Sequence, residues 1–203
     1  MKRYEYKGFV INIKEDENPR DPRTEFDNIT KMACWHSRYS LGDKSVNQDF
    51  PKKNYNTAEE MKADIIKREH PAIILPLYLY DHSGITISTS PFSCPWDSGQ
   101  VGFVWITKEQ AKRDLLIKYF TKKNLARVEE CLKVDVRTYD DYLTGSVYGY
   151  EISKLEDETN ILESVWGYYG YEPKEDDWWV LKDAKSRVDT MIEFPESIIP
   201  VAH

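Results

Sequence analysis

Ala72-Ile73-Ile74-Leu75-Pro76-Leu77-Tyr78-Leu79-Tyr80-Asp81-His82-Ser83-Gly84-Ile85-Thr86-Ile87-Ser88 is the stretch whose reading decides the fold. Its first nine residues form an unbroken apolar run. Asp81-His82-Ser83-Gly84 supplies turn residues, and Ile85-Thr86-Ile87-Ser88 alternates as a strand with one buried face does. A further apolar run, Val101 to Ile106, follows a loop rich in proline and polar side chains. The pattern predicts that Ile73–Tyr80, Ile85–Thr89 and Val101–Ile106 are neighbouring strands of one sheet, antiparallel across the turn. Pro91 to Gly99 belongs to no ladder or helix, because two prolines and a glycine interrupt both.

Working outward, Lys7–Ile13 reads as a first strand and Glu15–Thr30 as a polar loop. Lys31–Tyr39 has strand content, with Met32, Cys34, His36 and Arg38 on one face and Ala33, Trp35 and Tyr39 on the other. A loop from Ser40 to Asn56 leads to Thr57-Ala58-Glu59-Glu60, a capping box that opens a short helix. Thr107-Lys108-Glu109-Gln110 is a second such box, opening a helix to about Tyr119. From Thr121, Leu125, Val128, Leu132, Val136, Tyr139 and Leu143 recur at the spacing of one buried stripe, and Gly145 stops that helix. Val147–Ile152 reads as a strand, Glu156–Asn160 as a polar break and Val165–Tyr171 as an aromatic-glycine run. A last helix carries Leu181, Ala184, Val188, Met191 and Ile192 before Pro195. Clustered strands interrupted by helices without strict alternation predict a single α+β domain over residues 1–203, mainly an antiparallel sheet with helices packed on it.

Composition narrows the function classes. With 40% hydrophobic and 31% charged residues over 203 positions, the chain has the balance of a folded soluble protein. No apolar run approaches the roughly 20 residues of a membrane helix, and the charged start Met1 to Lys7 is not that of a signal peptide. Three cysteines fit free thiols in a reducing cytoplasm, without a disulfide framework. The net charge of −7 is uneven: residues 151–203 hold 13 carboxylates against 5 basic side chains, or −8, leaving +1 for residues 1–150. The acidic, aromatic-rich C-terminal segment 151–203 is therefore a candidate surface for a basic partner.

Four constellations could carry chemistry. Cys94, with His82 or His36 as base and Asp97 or Asp43 to orient it, has the residue types of a thiol nucleophile. Gln100 and the Ser98 and Gly99 amides could serve an oxyanion. Cys34, His36, His82 and Cys94 are zinc-compatible in type, but no CxxC or HxxxH pair anchors them, and neither a metal nor a cofactor is expected. Lys108, Lys112, Arg113, Lys118, Lys122, Lys123 and Arg127 form a basic run, opposed as a nucleic-acid surface by the acidic pI of about 5.2. In the C-terminal segment, Glu175, Asp176 and Asp177 beside Trp178 and Trp179 combine carboxylates with aromatic anchors.

Three motifs together resemble a family. Cys34-Trp35-His36-Ser37-Arg38-Tyr39-Ser40-Leu41-Gly42-Asp43, Tyr80-Asp81-His82-Ser83-Gly84 and Phe92-Ser93-Cys94-Pro95-Trp96-Asp97-Ser98-Gly99-Gln100-Val101-Gly102 look like a family of small uncharacterised accessory proteins of bacteriophages and mobile elements. That family has no assigned reaction. The resemblance implies a phage protein in the host bacterial cytoplasm, and by analogy an anti-defence protein that binds and inhibits a host factor without catalysis. The binding candidates are then Trp35, His36, Arg38, Asp43, Trp96, Ser98 and Gln100, together with the C-terminal residues above. A cysteine-dependent hydrolase or transferase and a small-ligand-binding module are the alternatives.

Overall fold

β4 (Pro71–Asp81) is the longest strand of its sheet and has a neighbour on each side. β5 (Ile85–Ser88) and β6 (Ser98–Thr107) flank it, and β3 (Lys31–Cys34) lies outside β6, giving the antiparallel order β3-β6-β4-β5. The three runs that decide the fold are thus adjacent strands, with Asp81 opposite Ile85 and Tyr80 opposite Ser98. The computed structural model describes residues 1–170 and 178–195. It divides the chain into two compact units, residues 21–144 and residues 1–20 with 145–203.

In the first of these units the sheet is covered on both faces. Val104 and Ile106 join Leu77, Leu79 and the stripe Val128, Leu132, Val136 and Tyr139 of α5 (Lys122–Thr144). Phe103 and Trp105 point the other way, as strand alternation requires. They join Phe50, Val46 of α2 (Lys44–Asp49), and Met61 and Ile65 of α3 (Ala58–Glu69). Burial on both faces is why 101–106 is apolar at nearly every position. Gly102 lets β3 come close: a Cβ there would sit 1.9 Å from the Ala33 carbonyl oxygen. Thr57 caps α3 by accepting from the Glu60 amide at 3.2 Å, while the Glu60 carboxylate takes the Asn56 amide at 2.8 Å. Thr107 and Gln110 form the full reciprocal box of α4 (Lys108–Asp114).

A buried ion network ties this unit together. The Arg23 side chain, in the short helix α1 (Pro22–Glu25), is wholly enclosed. It donates to both Asp43 oxygens at 2.8 and 2.9 Å, to Asp135 of α5 at 2.6 Å and to the Thr30 carbonyl at 3.1 Å. Asp43 also accepts the Met32 amide of β3 at 2.7 Å. Burial holds the Asp43 carboxyl above its usual range, against the pull of Arg23.

The second unit is a two-layer α+β arrangement. β1 (Lys2–Tyr6), β2 (Phe9–Glu15), β7 (Val147–Lys154) and β8 (Asp157–Tyr169) pair antiparallel in that order. α6 (Trp179–Glu193) buries Val180, Leu181, Ala184, Val188 and Met191 against Ile11, Ile13, Tyr150 and Ile152. Asp183 accepts from the hydroxyls of Tyr150 at 2.8 Å and Tyr168 at 2.6 Å.

The α+β class is as the sequence predicts, with the strands shared between two sheets. Lys2–Tyr6 is a strand ahead of the expected first one, Pro22–Glu25 and Lys44–Asp49 are short helices within segments expected to be loops, and other boundaries differ as well. β3 ends at Cys34, because His36 Nδ1 accepts the Arg38 amide at 3.2 Å and this local bond turns the chain out of the ladder. The helix after Thr107 ends at Asp114 because Leu116 is left-handed (φ 55°), which sends Ile117 into the core. Asp157–Asn160 is not a break but the polar, exposed start of the edge strand β8.

Two stability outcomes follow. Arg23→Ala leaves two carboxylates buried without their counter-ion and should cost about 3–5 kcal/mol in urea unfolding. Asp141, near the C-terminal end of α5, is raised from 3.8 to about 6, first by burial and then by Asp140. Its native state binds the proton more tightly than the unfolded chain, so stability is lost as pH rises from about 4 to 6. Asp141→Asn should therefore stabilise the protein at pH 7 by about 1 kcal/mol, discounted for solvent screening, and leave melting below pH 4 unchanged.

Candidate functional site

β4 ends at Asp81 and β6 begins at Ser98, so the polar loop between β5 and β6 is hung across one end of the sheet. The Trp35–Tyr39 segment arrives at the same end from β3, still held by the Trp35 amide on the Val101 carbonyl at 2.7 Å. Between these segments lies a cleft of about 300 Å³ lined by His36, Arg38, Asp81, Trp96, Asp97 and Ser98. A second cleft of about 660 Å³ runs along Cys34–Leu41 with Asn47 and Lys52.

The loop is stiff. Pro91 and Pro95 fix two backbone angles. The Ser98 hydroxyl donates to the Cys94 carbonyl at 2.5 Å, and the Asp81 amide donates to the Asp97 carbonyl at 2.8 Å. Tyr80 stacks on His82 at 6.0 Å and lies 5.7 Å from Phe92, which anchors the loop to β4. At the tip stands Trp96, 92% exposed. Across the cleft Arg38 is ion-paired with Asp81, which also accepts from the Tyr39 hydroxyl at 3.4 Å. The His36 ring stacks on Tyr39 at 4.9 Å.

Cys94, His82 and Asp97 do come together, in an order that matters. The Cys94 thiol donates to Asp97 Oδ2 at 3.6 Å, and His82 Nδ1 lies 3.4 Å from the same oxygen. The carboxylate sits between sulfur and imidazole, so the thiol meets an acceptor but not the imidazole base that a cysteine nucleophile works with. Among the described residues no group of three His, Cys, Asp or Glu side chains could hold a metal ion. Cys34 is buried in the core, which pushes its thiol up to about 12.

The remaining candidates separate by position. Asp43 is committed to Arg23, Trp35 packs at 6.1 Å on Phe103, and Gln100 donates to the Gly102 carbonyl at 3.4 Å. Trp178 is 1% exposed in the core beneath α6, edge-on to Tyr148 at 5.2 Å, which takes it off the surface; Trp179 is half exposed. Glu175, Asp176 and Asp177 lie outside the described residues. Asp81 is a site residue that the sequence does not mark, since there it reads as the first residue of a turn. Its pairing with Arg38, 43 positions away, is a product of the fold.

Comparison with protein-family models, curated proteins and solved structures finds no match, so the function rests on the geometry of the site.

Alkylation separates the thiols. Iodoacetamide should modify half-buried Cys94 in the native protein and Cys34 only after unfolding. The Cys94 rate should show no step in the imidazole range, and a step lost in His82→Ala would establish the thiol–imidazole pair that a hydrolase needs.

Proposed function

We propose that this chain is a non-catalytic binding protein that docks on a partner protein through the Trp96 end of its β3-β6-β4-β5 sheet. In the setting implied by the motif resemblance it is a phage accessory protein, and its partner is a host factor that it inhibits, of the anti-defence kind. The observation that carries the reading is Trp96. An indole 92% exposed contributes nothing to folding where it stands, yet it is held at the tip of a doubly pinned loop. Trp is the side chain that most concentrates binding energy when a partner encloses it. A rigid carrier lowers the entropy lost on docking. Around it, Arg38, Asp81, His82 and Asp97 form a polar rim that fits an apolar socket with charged edges.

The cysteine-dependent alternative would need the imidazole at sulfur, where Asp97 stands. The small-ligand alternative would have to be served by the clefts of about 300 and 660 Å³ at this end of the sheet.

The test is affinity capture from bacterial lysate with the wild-type chain and with Trp96→Ala. The variant should melt as the wild type does and bind the captured partner at least about 30-fold more weakly, the cost of a central anchor of about 2 kcal/mol. Cys94→Ser should bind as wild type. Full retention of binding by Trp96→Ala would remove this surface from the function.

A further inference from the structure

A second surface lies at the opposite end of β4 and β6, about 30 Å from Trp96 by strand length. There α3 ends at Glu69, with His70 as its left-handed C-cap, and α4 begins at Lys108. Between them is a groove of about 710 Å³ whose charged lining is Lys31, Arg68, Lys108, Lys112 and Arg113 against Glu69 and Glu109. Lys31 is paired with Glu69 at 2.5 Å, Arg68 with Asp64 at 3.2 Å and Arg113 with Asp114 at 2.7 Å. Lys108 and Lys112 are exposed and make no ion pair among the described residues. The charge continues into α5: from Lys108 to Arg127 there are seven basic side chains and two carboxylates. Residues 21–144 as a whole are neutral, with 18 basic and 18 acidic side chains, so this excess is a local concentration.

Apolar groups stand within that charge. Leu116 is 81% exposed and Tyr119 75% exposed in the α4–α5 connection. The connection is held from beneath. Ile117 is buried and its amide reaches the Ala111 carbonyl at 3.2 Å, while Asn124 donates its side-chain amide to the Tyr119 carbonyl at 2.8 Å. Lys112 Nζ lies 5.9 Å over the Phe120 ring.

We propose that this groove and the α4–α5 connection bind single-stranded nucleic acid. The unpaired lysines take backbone phosphates, and Tyr119 offers a flat face on which an unstacked base can lie. A duplex buries its base faces and would leave Tyr119 and Leu116 without a partner, which is why a single strand is the better fit. The acidic balance of the whole chain does not decide the matter, because phosphate contacts act over about a Debye length, near 8 Å at physiological salt. The inference is independent of the Trp96 surface.

The test is fluorescence anisotropy of the full chain with labelled 20-mers of dT and rU and a duplex of equal length, from 50 to 200 mM salt. If about four phosphates are neutralised, affinity for the single strand should fall roughly 50-fold over that range, a log–log slope near −3. Reversing Lys108 and Lys112 to Glu should weaken binding at least tenfold and flatten the slope by about 1. Tyr119→Ala should weaken it about tenfold with the slope unchanged. A Lys118→Glu, Lys122→Glu variant provides a second reading of the charge effect on α5 and its approach. All these positions are exposed, and cooperative melting verifies each variant. The proposal is overturned by no binding at 50 mM salt, by equal binding of duplex with Tyr119→Ala unaffected, by reversal variants that bind as wild type, or by a chain that ignores oligonucleotides and captures poly-glutamate.

Discussion

The Arg23 guanidinium is the fixed point of residues 21–144. It is wholly enclosed, and its donors go to the carboxylate of Asp43 just ahead of α2, a carboxylate on α5 and the carbonyl that precedes β3. Taking such a charge out of water is costly, and two partners in good geometry repay that cost without yielding a large surplus. Its value is positional. Asp43, held by both oxygens, presents one of them to the Met32 amide at 2.7 Å and so sets where β3 meets the loop that returns from Gly42. The same loop is fastened a second time, by the Gly42 amide on the Tyr139 hydroxyl at 3.1 Å. These tethers fix the register from which β3 runs into Trp35 and the cleft.

From that point the two ends of the sheet diverge in character. At one end a stiff loop carries an exposed indole over the paired Arg38 and Asp81. At the other, helix ends bring lysines together around a groove. β4 and β6 connect them as the rigid centre, covered on one face by α5 and on the other by α2 and α3. The edge strand β5 is also secured, since its Ile87 amide donates to Asp140 at 2.7 Å. Side chains borne on such a support keep their positions without being enclosed. That is the condition under which an exposed Trp or Lys is available for binding rather than folding.

Particular residues show what was readable in advance. The alternation of Ile85–Ser88, the turn at His82-Ser83-Gly84 and the stripe from Val128 to Tyr139 carried their own periodicities and became β5, its hairpin and the buried face of α5. Trp96, Arg38 and His36 are candidates on residue type and share one cleft. Trp178 and Asp43 are candidates on residue type, and in the fold they are structural. An aromatic next to carboxylates looks the same in sequence whether α6 covers it or water does, and an Asp reads alike as a helix cap or as the partner of a buried arginine.

The sequence by itself determined the class of this protein, its central strands and their antiparallel pairing, and its longer helices, because periodicity and turn chemistry act over a few residues; Lys2–Tyr6, Asp157–Asn160 and the short helices α1 and α2 carry no such mark. Only the tertiary structure decided that the strands form two sheets, that Arg23 is buried between Asp43 and Asp135, that Asp97 stands between Cys94 and His82, and that the lysines of α4 face a groove. Each of those facts joins elements whose contact is set by burial and pairing across the fold. Energies of that kind leave no periodic mark along the chain.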